Sequence, residues 1–212
     1  MDGNLVTEHA GVMLGSDSPC SGTSRVPEFR VLTVCTANLY RSPLAECLLR
    51  TRLAAVREAI QLSSAGTRAV PGTPMETAAA SAVVARGGEP SGTGARRLTA
   101  GLVERADLVL GAGVEHREAA VRLAPVRALS RAFSLREFAR LVRAEDGADL
   151  VDPAARFTAL VAGAAARRGA ATADTADDDV ADPLGGSEEV VRECVRRVEE
   201  SVERIAVAMG LG

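Results

Sequence analysis

An open, mostly four-stranded parallel β-sheet with helices on both faces is the α/β fold this sequence predicts, and three observations predict it. Short apolar runs alternate along the chain with segments of helical periodicity. Two of those runs, residues 29–34 (FRVLTV) and 106–110 (ADLVL), are almost wholly apolar, the pattern of strands buried on both faces. A small or polar loop follows the first run before a helix opens, which is the layout of sheets that gather ligands at strand carboxyl ends. With 212 residues, 47% of them hydrophobic, the chain is long enough for one such domain and its core.

Taken in order, residues 29–34 form the first strand and residues 35–41 a loop. Ser42-Pro43 then opens a helix: Ser suits the N-cap and Pro the first helical position. Leu44, Cys47, Leu48, Leu49, Leu53 and Val56 recur at spacings that bury one face, and the pattern carries the helix to about residue 60. Residues 61–65 are a second strand, closed by Gly66-Thr67. A helix over 75–85 ends at Gly87-Gly88, a loop spans 89–98, and a short helix covers 100–105. Residues 106–110 are the third strand, 114–123 a helix and 126–129 the fourth strand. Residues 135–142 supply a helix with Phe138 inward. Residues 152–168 are helical, and 169–179, rich in Ala, Thr and Asp without periodicity, read as a surface loop. Val191, Cys194, Val195, Val198, Val202 and Ile205 mark a long final helix between Ser187 and about Ala208.

Residues 1–28 include Asp2 and Glu8 and are rich in Gly, Ser, Thr and Asp. They read as a flexible leader and lack the basic start and apolar run of a secretory signal. The expected organisation is this leader, then one domain over 29–212 with a flexible insertion near 169–180. The net charge of -3 and pI near 5.6 argue against a nucleic-acid partner. No run approaches the roughly 20 apolar residues of a membrane span, so no membrane insertion is expected. Cys20, Cys35, Cys47 and Cys194 form no C-x-x-C pair, and the only histidines are His9 and His116, so neither a metal site nor a disulfide framework is expected. A reducing, cytoplasmic setting follows from that. Oligomeric state stays open.

The chemistry concentrates in Cys35-Thr36-Ala37-Asn38-Leu39-Tyr40-Arg41-Ser42-Pro43. A C-x5-R spacing alone is weak in a chain with 4 cysteines and 25 arginines. Its position between a buried strand and a helix start is what matters. Backbone amides of such a loop can converge as a nest, and the helix N-terminus adds positive potential, which together suit a tetrahedral oxyanion. Arg41 can clamp two of its oxygens with a planar fork. The same field stabilises a thiolate at Cys35, Ser42 can donate to that sulfur, and Asn38 suits a left-handed backbone position. The competing reading is a buried structural thiol with a surface arginine.

CTANLYRSPLAE resembles the signature of the low-molecular-weight protein tyrosine phosphatases. The resemblance extends over residues 29–209: Ser64-Ala65-Gly66-Thr67 is similar to the family's second strand end, 98–110 to its third strand and approach, and Ala181-Asp182-Pro183 to its general-acid loop. The stretch 114–141 is most similar to actinobacterial members. What the resemblance implies is a low-molecular-weight phosphatase-like sheet and a phosphatase without metal or organic cofactor. Cys35 would be the nucleophile, Arg41 the phosphate clamp and Asp182 the general acid, with Thr36, Ala37, Asn38, Leu39, Tyr40 and Ser42 forming the substrate-binding loop. A phosphorylated protein or a small phosphate ester would be the substrate. Asp177, Asp178 and Asp179 read as a solvated acidic run beside Asp182.

Four departures stand out. Ala37 holds a place usually given to Gly, and Tyr40 replaces a second cysteine that many members carry before the Arg. Leu184-Gly185 follow Asp182-Pro183 where many members have aromatics, and Arg68 and Val70 stand in another region without one. Tyr40 can pack beneath the loop or line the pocket mouth. Two alternatives remain: an arsenate reductase using an external thiol, since no cysteine lies between Cys47 and Cys194 to relay a disulfide, and a non-catalytic phosphate-binding regulatory protein.

Overall fold

β1 (Phe29–Cys35) occupies an inner position of the sheet, and its alternation assigns the two faces. Phe29 and Val31 enter one apolar cluster, whereas Leu32 and Val34 enter the other. The computed structural model describes residues 1, 29–168 and 178–211, so most of the expected leader and most of the expected insertion lie outside the described residues.

After β1 the chain forms α1 (Arg41–Arg52), a short 3-10 turn (Ala54–Val56) and β2 (Ile60–Gly66). Then come α2 (Thr77–Val84), α3 (Ala100–Arg105), β3 (Leu108–Gly111) and α4 (Val114–Leu123). α5 (Pro125–Ala128), β4 (Ala132–Ser134) and α6 (Leu135–Leu141) follow, before α7 (Pro153–Arg168) and α8 (Glu188–Ala208). The four strands are all parallel, as the sequence predicts, and stand in the order β2-β1-β3-β4. Their carboxyl ends meet at one edge, where Cys35 pairs with Gly66, Val34 with Gly111 and Gly111 with Ser134.

α1, α2, α6, α7 and α8 cover one face around Leu44, Leu48, Phe133, Phe138, Phe157 and Ile205, all buried. α3, α4 and α5 cover the other through Val103, Ala120 and Ala128. Phe29 and Phe157 meet edge to face at 4.6 Å, tying β1 to α7. Ser134 starts α6 with a reciprocal capping box: its hydroxyl accepts from Glu137 N–H while the Glu137 carboxylate accepts from Ser134 N–H.

Two expected elements are corrected. The first helix stops at Arg52 rather than near residue 60. A seven-residue strand is about 23 Å long, and a 12-residue helix of about 18 Å followed by a 3-10 turn already returns the chain to the sheet's far edge. Residues 126–129 are not a strand. Pro125 opens α5 there, in the position where its fixed φ favours a helix, and Val126 and Leu129 are exposed. The fourth strand lies just beyond, where Phe133 is fully buried and carries the Arg168 guanidinium 3.8 Å over its ring.

Candidate active site

β1 ends on Cys35, and the chain then folds tightly back over its own sulfur. Asn38 is the one non-glycine residue with positive φ (59°) among those described, as its side chain type predicts. Its backbone N–H donates to Cys35 Sγ at 3.2 Å. Its amide donates to Ser42 Oγ at 3.0 Å and to Ser64 Oγ at 2.9 Å, while Oδ1 accepts from Arg96 N–H at 2.8 Å. Ser42 Oγ accepts from Asn38 and stands 3.0 Å from Cys35 Sγ and 3.4 Å from Ala65 O, so its one proton is shared between the sulfur and that carbonyl. The Asn38 N–H and the Ser42 hydroxyl both face the sulfur, a setting that suits a nucleophile.

Ser42 is thereby corrected from its expected place at the N-cap. Tyr40 is the N-cap, with no side-chain cap, and the serine hydroxyl turns inward to the sulfur. Uncapped first-turn amides leave α1 able to take an anion. The end of β2 presses on the same loop: Thr67 N–H donates to Cys35 O at 2.9 Å and Arg68 N–H to Thr36 O at 2.8 Å. A Cβ on Gly66 would stand 2.6 Å from Thr36 O and 2.8 Å from Asn38 N, so only glycine fits there.

Arg41 is buried, and its guanidinium donates to Val180 O at 3.1 Å, Thr36 Oγ1 at 3.2 Å and Asp182 Oδ2 at 2.6 Å. The structure thus joins the loop to Asp182, whose side chain is 42% exposed. Thr36, Ala37 and Leu39 line the loop half-buried. The Tyr40 side chain is buried in the core, and its hydroxyl has no partner among the described residues, so it does not line the pocket mouth. Burial pushes its phenol above the ordinary value.

Sequence reasoning passed over two features. Asp178 and Asp179 are anchors and not a solvated run. Asp178 is buried against Arg140, 3.0 Å away, and Asp179 accepts from Val114 N–H at 2.7 Å at the start of α4. Val180 N–H donates to Ala112 O, and Arg197 donates to Asp179 O from α8. The second is His116, in the first turn of α4 and buried, with Nε2 3.0 Å from Thr36 Oγ1. Its signal was position, since α4 begins at the carboxyl edge of the sheet. Cys35, Cys47 and Cys194 are free thiols, and burial pushes Cys194 up to about 12. Among the described residues no cluster of three or more His, Cys, Asp or Glu could hold a metal ion, and no helix is long and apolar enough to cross a membrane.

Residues 30–160 match the family model described as low molecular weight phosphotyrosine protein phosphatase. The chain is 36% identical over 95 residues to the low molecular weight protein-tyrosine-phosphatase Etp of Escherichia coli (strain K12), covering 45% of this chain and 62% of that protein. It is 39% identical over 93 residues to the probable low molecular weight protein-tyrosine-phosphatase EpsP of Ralstonia solanacearum, covering 43% and 61%. The matched stretch thus spans about three fifths of these relatives' length. Among solved structures, the YwlE arginine phosphatase from Geobacillus stearothermophilus superposes with a TM-score of 0.61 at 25% identity, covering 84% of this chain and 91% of that one. The tyrosine phosphatase Wzb from Escherichia coli K30, in complex with sulphate, gives 0.59 at 22% identity, covering 86% and 98%. Sequence and fold meet in one statement: the chain belongs to the low molecular weight phosphotyrosine protein phosphatase family.

Proposed function

We propose that the chain hydrolyses phosphate monoesters through a phosphocysteine formed on Cys35. The observation that carries this reading is the Cys35 sulfur receiving Asn38 N–H with Ser42 Oγ 3.0 Å away at the start of a helix, in the same loop as Arg41. Phosphorus sits where the sulfur can attack in line: the S–P bond forms as the P–O bond to the leaving group breaks. Loop amides and Arg41 hold the three equatorial oxygens. Arg41 exchanges its bond to Asp182 for phosphoryl oxygens, which frees Asp182 to protonate the leaving oxygen. Asp182 then takes a proton from the attacking water, the S–P bond breaks, and phosphate leaves. The free thiols at Cys35, Cys47 and Cys194 fit a reducing compartment such as the cytoplasm.

The substrate side of the site is less selective for aromatic rings than the family name suggests. The chain has four Phe, one Tyr and no Trp, and all five rings lie in the core. A phosphotyrosine ring would therefore meet Leu39, Thr67, Arg68 or Leu184 and not a flat wall. Phosphoproteins and small phosphate esters are both substrates on this reading, and phosphoarginine belongs in the test panel because the Geobacillus neighbour is named an arginine phosphatase.

The test is turnover of aryl and alkyl phosphates by wild type, Cys35→Ser and Asp182→Asn. Cys35→Ser abolishes turnover, and Asp182→Asn loses about 10²- to 10⁴-fold, more for poor leaving groups. Full activity in Cys35→Ser ends the proposal. Phosphate binding without turnover in wild type would indicate the regulatory reading, and arsenate reduction with a small thiol the reductase reading.

A further inference from the structure

A buried chain of hydrogen bonds runs from α4 into the catalytic loop. His116 is 1% exposed, with Nε2 3.0 Å from Thr36 Oγ1 and 3.4 Å from Glu115 Oε1. Thr36 Oγ1 also accepts from Arg41 Nη2 at 3.2 Å. The other ring nitrogen of His116, Nδ1, is buried with no hydrogen-bond partner among the described residues. We propose that His116 is a positioning residue which, as the neutral Nε2–H tautomer, locks the Thr36 hydroxyl so that it holds Arg41 and presents its own proton to a phosphoryl oxygen. The inference rests on reading the loop as a phosphate site.

The proton count follows from the groups present. A hydroxyl has one proton and two lone pairs. Arg41 Nη2 can only donate, so it takes one lone pair of Thr36. Nε2–H takes the second, and the Thr36 proton is left for the pocket. The opposite tautomer fails twice: it buries an Nδ1–H with no acceptor and turns a bare Nε2 lone pair toward the Glu115 carboxylate. Adding a second proton on Nδ1 fails for the first of those reasons.

The charges facing the ring agree. Burial and Arg41 from α1 pull His116 below the usual imidazole value. Glu115 from α4, and Asp179 and Asp182 from the segment before α8, oppose them without reversing the shift. The net shift favours the neutral ring.

Since the chain has two histidines, His9→Gln leaves His116 as the sole imidazole for nitrogen NMR. The expected spectrum is a single Nε2–H tautomer that does not titrate near pH 6.5. The second measurement is the inhibition constant of inorganic phosphate, with wild-type turnover as reference. His116→Leu raises it about tenfold, which is about 1.4 kcal/mol, and His116→Gln, whose amide nitrogen can stand at the Nε2 position, restores most of the loss. Thr36→Val gives the same loss and serves if His116→Leu does not fold; combining the two adds little beyond either alone. An Nδ1–H tautomer, ordinary titration near 6.5, or wild-type phosphate affinity in both His116→Leu and Thr36→Val overturns the inference. Wild type that neither binds phosphate nor turns over fails earlier, at the loop reading itself, whereas the tautomer is read without either activity.

Discussion

Residues 35–42 and residues 178–182 meet at Arg41, yet they are built in different ways. Residues 35–42 are held by neighbours a few positions away and by a backbone clamp from β2: Asn38 to Cys35, Asn38 to Ser42, Thr67 to Cys35 and Arg68 to Thr36. Most of that loop is buried. Residues 178–182 are instead tied to four elements distant in sequence, namely Arg140 on α6, Ala112 and Val114 around the start of α4, Arg197 on α8 and Arg41 on α1. Asp182 remains largely open to solvent. On the proposed reading, the difference teaches that phosphate recognition would be preorganised, while proton transfer would depend on a segment tethered from outside. Damage to the first should abolish binding and turnover together. Damage to the second should leave binding and lose turnover.

The sharpest break of the loop comes from Gly66→Ala. Its new Cβ would meet backbone atoms of Thr36, Ala37 and Asn38 within 3 Å, and backbone cannot yield as a flexible side chain can. Overpacking of that kind costs about 1–3 kcal/mol, and displacing the loop by even a fraction of an ångström lowers kcat/KM by about 10²-fold or more. Thermal melting and phosphate inhibition measured on the same variant check it. Retained phosphate affinity would mean that the β2 clamp is not what shapes the loop.

Asp178→Asn tests the acid segment. It removes a buried carboxylate from Arg140, whose own side chain is 34% exposed, so the loss of stability is about 1–2 kcal/mol and not that of a fully buried pair. Turnover should fall about fivefold to tenfold on poor leaving groups, with the phosphate inhibition constant changed less than about twofold. If affinity falls in step with turnover, the two regions are one mechanical unit and the contrast fails.

How much of this was legible in the sequence follows the same division. Cys35, Asn38 and Arg41 were readable because strand, loop and helix lie consecutively, and positive φ at Asn38 is a local preference. Asp178, Asp179 and His116 were not, because their partners lie 38, 65 and 80 residues away and no periodicity announces them. Ser42 was misread for a related reason: a serine before proline is a good N-cap, but the Cys35 sulfur and Asn38 amide claimed its hydroxyl first. The fourth strand was misplaced because Val126 and Leu129 are more apolar than the Ala132-Phe133-Ser134 segment that pairs with β3. Burial of Phe133 decided it, and burial is a tertiary fact.

His116 lies where the two regions join, and its protonation offers a smaller test of folding. The folded-state pKa lies below that of the unfolded chain, so below about pH 6.5 the unfolded state binds the extra proton. Stability is complete above that pH and declines as pH falls toward the folded value, with a slope of at most about 1.4 kcal/mol per pH unit for one proton. Denaturant midpoints from pH 7.5 down to 5.5 should show this slope in wild type and lose it in His116→Gln. An identical slope in both proteins would place the proton uptake elsewhere.

The smallest effect separates the loop's upper surface from the core beneath it. Tyr40 sits inside the C-x5-R sequence, yet its ring packs in the core and its hydroxyl is buried without a partner among the described residues. An unsatisfied buried hydroxyl contributes nothing and costs desolvation, so Tyr40→Phe should be neutral or stabilising by about 0.5–1 kcal/mol. For a domain of this size that is a rise of about 1–4 °C in Tm. Activity should not change, because the backbone of residue 40 is all that the loop uses. A fall of several degrees would show that the hydroxyl is bonded after all, and a fall in kcat/KM at unchanged Tm would move Tyr40 from the core back to the substrate.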